Sequence, residues 1–302
     1  MIIVLGSINV DLIVRVHAFP RPGETIQGDD LVVMPGGKGA NQALVARRMN
    51  STVALIGSIG KDSFAKVALA SLIGAGVDVT NVAVVDRPTG TAVISVNRSG
   101  ENQIIVSPGA NSQTTAATLS GLKTAQGDVF LVQREICDEV TIAGLRWAGS
   151  RKLHRILNAA PASELSAELL SACDTLIVNE YEAAAIAAAL GLRSDPQLFA
   201  QDVACRFQNR AVVTLGSNGV VGHDGTADYR VEGFPAEVVD TTGAGDAFVG
   251  AMAVAISENI EFSDCLKYGA AAGSVACERF GAQASAPTRN QVEALLGLRP
   301  TA

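Results

Sequence analysis

Val239-Asp240-Thr241-Thr242-Gly243-Ala244-Gly245-Asp246-Ala247-Phe248 marks the point where the chain changes character. Upstream lie the β-rich runs Val220-Val221-Gly222-His223 and Tyr229-Arg230-Val231. Downstream, Ala247 to Ile256 is apolar and Ala-rich and reads as a buried helix. Gly243 and Gly245 therefore stand where a loop turns into a helix N-terminus. Without side chains there, bare N–H groups are open to an anion, and the helix dipole favours negative charge. Asp246 alone is explained as a cap or dipole partner worth about 1 kcal/mol. Two Gly, two Thr and two Asp between 240 and 246 point further, to a phosphate site with a base beside it. In that reading Asp246 takes the proton of an attacking hydroxyl, and the phosphoryl group lies over Gly243, Ala244 and Gly245.

The composition bounds what else the chain does. Its 302 residues allow one large domain or two small ones, and 48% hydrophobic against 18% charged residues supplies a substantial core. A formal charge of −7 argues against a nucleic-acid or anionic-membrane partner, so any anionic ligand must be held locally. Five scattered cysteines (137, 173, 205, 265 and 277) form no CxxC pair, which argues against zinc and disulfides and for reduced thiols in the cytoplasm. Met1 to Gly6 lacks the basic start of a signal peptide, and no apolar run reaches the ~18 residues of a membrane span.

Working back toward the N-terminus, Ile2–Leu5 is a short apolar run of the kind buried in an α/β sheet. Gly6-Ser7-Ile8-Asn9-Val10-Asp11 follows and is not the GxGxxG of a dinucleotide fold, which disfavours an oxidoreductase. It places Asn9 and Asp11 just past the strand, where open α/β sheets bind ligands. Residues 12–16 and 31–34 are expected as strands that leave the main sheet and return; 91–96 and 103–106 flank the turn at 97–102 as a hairpin. The remainder alternates strand and helix. Strands are expected at 52–57, 128–132, 155–157, 175–178 and 211–215. Helices are expected at 36–49, 63–75, 140–148, 181–190, 196–209, 261–279 and 290–296. That rhythm predicts a parallel sheet covered on both faces, with the β-only excursions as a small lid over the strand ends.

Several residues admit two readings. The glycines at 36, 37 and 39 either let a helix pack closely or, with Asn41, Asn9 and Asp11, present amides and a carboxamide to sugar hydroxyls. Glu135 lies past the strand at 128–132 and is either a ligand contact or a solvated charge. Asn179 and Glu182 fit a helix capping box as well as they fit the water shell of a magnesium ion. Thr214 to Gly219 is either a plain turn or a backbone floor for a nucleotide. Lys61 follows too short a glycine spacing to be a P-loop.

Gly36-Gly37-Lys38-Gly39-Ala40-Asn41-Gln42 and Asp240-Thr241-Thr242-Gly243-Ala244-Gly245-Asp246 resemble the two signatures of the ribokinase-like (PfkB) carbohydrate kinase family. The similarity runs from Gly6-Ser7-Ile8-Asn9-Val10-Asp11 to Gly281-Ala282-Gln283-Ala284-Ser285. Within the family, Lys38 to Gln42 and Asn158-Ala159-Ala160-Pro161-Ala162 are most similar to the members that act on ribose. The resemblance implies an α/β three-layer sandwich with a mostly parallel central sheet and a small β-sheet lid. It further implies one domain over 1–302, lid insertions at about 10–35 and 91–107, and a homodimer clasped through the lids. Carried over by position, Asn9, Asp11, Gly37, Lys38, Asn41 and Glu135 hold the sugar. Asp246 is the base, and Gly243 to Gly245 form the anion hole. Asn179, Thr214, Gly216, Ser217 and Gly219 serve ATP, while Asn179 and Glu182 organise Mg²⁺ through water. Asp240, Thr242, Ala276, Arg279, Gly281 and Ser285 match the family's shell for K⁺. The implied reaction is ATP-dependent phosphorylation of the terminal 5-hydroxyl of D-ribose. Relatives for 2-deoxyribose, other sugars or nucleosides differ by few residues, and a non-catalytic sensor on this fold would not need Asp246. One departure stands out: the family often has Pro two residues after the acid, where this chain has Cys137.

Overall fold

The first apolar run forms β1 (Ile2–Leu5), every residue of which is fully buried. Its alternation sorts the core into two layers. Ile2 and Val4 pack into one cluster and Ile3 and Leu5 into the other, as a strand sandwiched between helices requires. A computed structural model describes residues 1–161 and 166–298; Ala162, the last residue of the run Asn158 to Ala162, lies outside the described residues. After β1 the chain runs through β2 (Asn9–Arg15), β3 (Val32–Gly36), α1 (Lys38–Arg48), β4 (Val53–Ile59), α2 (Ser63–Ala75) and β5 (Val82–Val84). Next come β6 (Gly90–Val96), β7 (Asn102–Ser107), β8 (Val129–Val132), α3 (Asp138–Ser150), β9 (His154–Asn158), α4 (Ala167–Ala172) and β10 (Thr175–Asn179). The rest is α5 (Glu180–Leu190), α6 (Pro196–Phe207), β11 (Arg210–Thr214), β12 (Val220–His223), β13 (Asp228–Val231), α7 (Ala244–Ser257), α8 (Phe262–Ala276) and α9 (Arg289–Leu295).

The main sheet has nine strands in the order β13-β12-β11-β10-β9-β8-β1-β4-β5. From β11 to β5 all neighbours are parallel, while β12 and β13 close one edge as antiparallel strands. Helices α1, α2, α7, α8 and α9 supply the layer that packs with Ile2 and Val4, and α3 to α6 the opposite layer. The chain steps from β1 outward to β4 and β5, then returns to the other side of β1 with β8 and proceeds outward again. That reversal makes the β1–β8 junction the switch point of the sheet, and ligands of open α/β sheets bind at the carboxyl ends of the strands beside such a point. A second sheet, β3-β2-β6-β7, stands apart, with β2 parallel to β6 and a hairpin on either side.

The differences from the sequence expectations have local causes. Asn9 and Asp11 are not in a loop but on β2, where pairing with both β3 and β6 satisfies their backbone. The expected helix at 36–49 begins only at Lys38, because Gly36 still pairs with Asn9 and Gly37 turns at φ +91°. The helix expected to reach Arg279 ends at Ala276. Helix α4, six residues long, is not among the elements the sequence predicts; its signal is little more than the Ser166 side chain accepting from the Leu169 N–H.

Candidate active site

The glycine run is first of all a packing device. A Cβ on Gly37 would lie 2.7 Å from the Asn9 nitrogen, and one on Gly39 would lie 2.6 Å from the carbonyl carbon of Gly6. The N-terminus of α1 thus sits directly on the β1–β2 turn. Glu135 closes this junction: its Oε2 accepts from the Ser7 hydroxyl at 2.6 Å and from the Lys38 N–H at 3.1 Å, a carboxylate at a helix start. Asn9 is fixed by Asn111, a residue that drew no attention in the sequence. The Asn111 carboxamide accepts from the Ile8 N–H and donates to Asn9 Oδ1 at 2.7 Å. It is buried in a short 3-10 helix, Gly109–Gln113, that carries no sequence signal of its own.

Asp246 lies in the first turn of α7, whose start at Gly243 adopts φ +83° with no side-chain cap. Helices α1 and α7 cross closely, since a Cβ on Gly250 would meet Val45 at 2.8 Å and the Gln42 carbonyl oxygen at 2.9 Å. That crossing delivers two amides to the carboxylate. Asn41 Nδ2 donates to Oδ2 at 2.8 Å and Gln42 Nε2 to Oδ1 at 2.9 Å. The Asn41 Oδ1, enclosed by protein, has no hydrogen-bond partner among the described residues. A cavity opens beside them, lined by Lys38, Asn158, Asn179, Glu182, Thr214, Gly243, Gly245 and Asp246 among others. The two motifs, about 200 residues apart in sequence, thus meet across one carboxylate.

Charge in this crevice is one-sided. Burial lowers the pKa of Lys38, but Asp246, Glu135, Glu182 and Asp11 outweigh it and hold the ammonium above its ordinary value. Burial pushes the Asp11 carboxyl up to about 7, helped by the negative charges of Glu135 and Asp246 and opposed by Lys38. Burial also raises Glu182, with Asp246 adding to the effect. Four carboxylates thus surround one ammonium, an excess of negative charge that an incoming polyphosphate would have to overcome.

On the far side, Asn179 and Glu182 do form the capping box: Asn179 Oδ1 accepts from the Glu182 N–H, and Glu182 Oε2 from the Asn179 N–H. Both nevertheless line the cavity, so cap and site coexist. Thr214 reaches the cavity, whereas Gly216 and Ser217 lie on the exposed turn beyond it and are not in the lining. Gly219 is required by its turn, at φ +86°, with a Cβ position only 2.0 Å from the Val231 carbonyl oxygen. Behind Gly243 and Gly245, Asp240 ties two loops together. Its Oδ1 accepts from the Thr242 N–H and hydroxyl, and its Oδ2 from the Gly281 N–H at 2.9 Å. Burial raises its pKa, but these bonds prevail and the carboxyl stays below its usual value. Ser285 is buried in the same loop, with its hydroxyl on the Ala282 carbonyl; the Arg279 side chain is exposed.

Residues 1–289 match the pfkB family of carbohydrate kinases. The chain belongs to that family. It is 35% identical over 296 residues to the ribokinase of Lactococcus lactis, a match covering 97% of this chain and 96% of that one. Among solved structures, the ribokinase of Thermotoga maritima superimposes with a TM-score of 0.90 at 33% identity, covering 98% of this chain and 99% of that one. The Arabidopsis thaliana ribokinase complexed with ribose and ATP gives 0.88, also at 33% identity, with 99% of each chain covered. The fold is therefore ribokinase-like, and the chain is a carbohydrate kinase.

Proposed function

We propose that the chain transfers the γ-phosphoryl group of ATP to the 5-hydroxyl of D-ribose, with Asp246 as general base. The observation that carries this reading is the setting of Asp246, aimed by two amides at a helix N-terminus and sharing one cavity with Gly243, Gly245 and Lys38. The substrates are those named for the Arabidopsis relative. Asn9, Asp11, Gly37, Lys38, Asn41 and Glu135 hold the sugar; the unpartnered Asn41 Oδ1 is a ready acceptor for one of its hydroxyls. Asp246 takes the 5-hydroxyl proton as the oxygen attacks, and the Gly243 to Gly245 amides meet the charge on the transferring group. Phosphoryl transfer depends mainly on such positioning and charge neutralisation. Thr214, with Gly216, Ser217 and Gly219 beyond it, forms the nucleotide side. The whole chain acts as one kinase domain with the four-stranded sheet as its lid.

The residues present fit a divalent ion and a monovalent one. Glu182 Oε1 makes no hydrogen bond among the described residues, while Asn179 Oδ1 is committed to the cap. Glu182 is thus the group to hold a hydrated Mg²⁺, and the Asn179 side-chain Nδ2 suits a phosphate oxygen. When bound, Mg²⁺ supplies the positive charge that the acidic crevice lacks. Asp240, Thr242, Ser285 and the carbonyls of Ala276, Arg279 and Gly281 would offer K⁺ the oxygen donors it takes. The test is ADP release from Mg-ATP across ribose, 2-deoxyribose, fructose, a keto-deoxy acid and nucleosides, with Na⁺ replacing K⁺ as control. Turnover confined to ribose supports the reading, and turnover on another member moves the substrate. Silence on all of them would leave a sensor.

The pKa of Asp11 gives this reading a pH signature. An ionised carboxylate accepts from sugar hydroxyls; a protonated one loses an acceptor position. With a folded value near 7, sugar affinity is expected to fall as pH drops from 8 to 6, and Asp11→Asn to flatten that dependence. The sign for stability is opposite. The folded state holds this proton more tightly than the unfolded chain, so its contribution to stability is full below 3.8, is lost as pH rises toward about 7, and changes no further above that. Asp11→Asn is therefore expected to raise Tm more at pH 8 than at pH 5. An unaltered KM–pH profile in the variant would remove Asp11 from the sugar site.

The lid also supports the homodimer. Val32, Val33, Val93, Ile104, Ile105 and Val106 stay exposed on its strands, Ile105 to 71%, an apolar patch of the kind that marks an interface. Ile105→Asp is expected to convert a dimer to a monomer in light scattering; an unchanged mass would place the interface elsewhere. Five free cysteines accord with a reducing, cytoplasmic setting. Among the described residues no helix is long and apolar enough to cross a membrane.

A further inference from the structure

Gln42 is fully buried and touches no open surface, yet its carboxamide is the centre of a chain of hydrogen bonds that ends on Asp246. The direction of that chain is fixed from its far end. The Ile177 carbonyl can only accept, so Asn158 must present Nδ2 to it, as it does at 3.1 Å. Asn158 Oδ1 then faces Gln42 and requires a donor, which is Gln42 Nε2 at 2.9 Å. With Nε2 committed to this side, Gln42 Oε1 must face the other way, where Gln133 Nε2 donates to it at 2.6 Å. The second Nε2 proton points at Asp246 Oδ1, a group that also only accepts. Each amide in the relay is oriented by its neighbour, and no alternative flip satisfies both ends.

We infer that Gln42 is a positioning residue for phosphoryl transfer, locking the rotation of the Asp246 carboxylate through the relay Gln133–Gln42–Asn158. This rests on the reading of Asp246 as the base. The terminal torsion of an aspartate is intrinsically broad, so one held oxygen leaves the carboxylate free to swing. Asn41 holds the other oxygen, but it borders the sugar site and has an unpartnered Oδ1 for a ligand to draw upon. Gln42 has no such second duty. Every polar atom of its side chain is spent inside the protein, so its hold on Oδ1 persists whether or not substrate is present. The relay also ties Asp246 to the ends of the parallel strands: Asn158 is the last residue of β9 and Gln133 follows β8 directly. The base is thereby referenced to the sheet as well as to its own helix.

The test is a mutant cycle of Gln42→Met with Asp246→Ala, read by single-turnover transfer of labelled phosphate and by steady-state KM for the sugar. Met keeps the volume of Gln and removes its donors. Gln42→Met is expected to lower kcat by about 30- to 100-fold with KM changed by less than about threefold, the signature of a loss confined to the transition state. In the Asp246→Ala background it is expected to cost nothing further, because the group it aims is gone. A purely structural role would instead lower both backgrounds by the same factor, which overturns the inference, as does a kcat within about threefold of wild type. Should Gln42→Met fail to fold, Gln133→Met removes the outer donor and is judged by the same cycle. If Asp246→Ala itself keeps wild-type turnover, the base reading falls and the role of Gln42 with it. If Asp246→Ala loses turnover while Gln42→Met does not, only the positioning role is lost.

Discussion

Asp246→Asn is expected to lower kcat by between a hundredfold and ten-thousandfold while the directly measured sugar affinity stays within about threefold. Removing a general base, the role proposed for Asp246, accounts for that range, and the surroundings push the loss toward its upper end. Asp246 accepts on both oxygens, from Asn41 Nδ2 and from Gln42 Nε2. An asparagine must turn its own NH₂ toward one of those donors, leaving two N–H groups facing each other in a buried site. Such a mismatch costs about 1–3 kcal/mol and twists the side chain out of line. Gln42 is bound by its relay and cannot flip to accept, so Asn41 is the partner that gives way. A modest rise in sugar KM is expected from that displacement and is separable from the fall in kcat. Calorimetric titration with the sugar, beside steady-state turnover, makes the distinction. A variant that keeps turnover within a few-fold of wild type would show that the proton leaves by another route. The function would then rest on the glycine amides and Lys38 alone.

What was legible beforehand divides along physical lines. The strands of the parallel sheet announced themselves because burial on both faces demands unbroken apolar runs, as in Ile2 to Leu5. The ends were less legible, since pairing settles them: Asn9 and Asp11 joined β2 only because β3 and β6 flank it. The short α4 carries too little periodicity to be read. In the site, residues with distinctive chemistry in glycine-rich settings stood out, Asp246 and Asn41 among them. Gln42, Asn111, Asn158 and Gln133 did not, although Gln42 and Asn158 stand inside runs that were singled out. An amide gains its meaning from the partner it meets, and those partners lie 91 to 116 residues away for Gln42 with Gln133 and Asn158. The glycines show the converse. Their enrichment was visible, but only the backbone distances separate those that permit packing from those that leave room for a ligand.

That separation makes Gly245→Ala the second informative variant, expected to fold at least as well as wild type and to lose about a hundredfold in turnover. Gly243 has structural work: φ is +83°, and a Cβ there would lie 2.8 Å from the Ala282 Cα, so Gly243→Ala strains backbone and packing together. Gly245 has none. Its φ lies outside the left-handed region, and among the described residues a Cβ there meets nothing within 4 Å beyond its chain neighbours and its own helix backbone. Alanine in the first turn of α7 should leave stability unchanged or raise it by up to about 1 kcal/mol, roughly 2 °C in Tm. Nothing in the protein explains why this position lacks a side chain; the cavity it borders does. If the transferring phosphoryl group comes down onto the amides at the head of α7, a methyl group there holds it off by about an ångström. A displacement of that size is enough to cost a hundredfold. Stability and turnover should therefore move in opposite directions, which no general weakening of the fold reproduces. Full turnover in Gly245→Ala would mean that the phosphoryl group is held elsewhere in the crevice, with Lys38 as the remaining candidate.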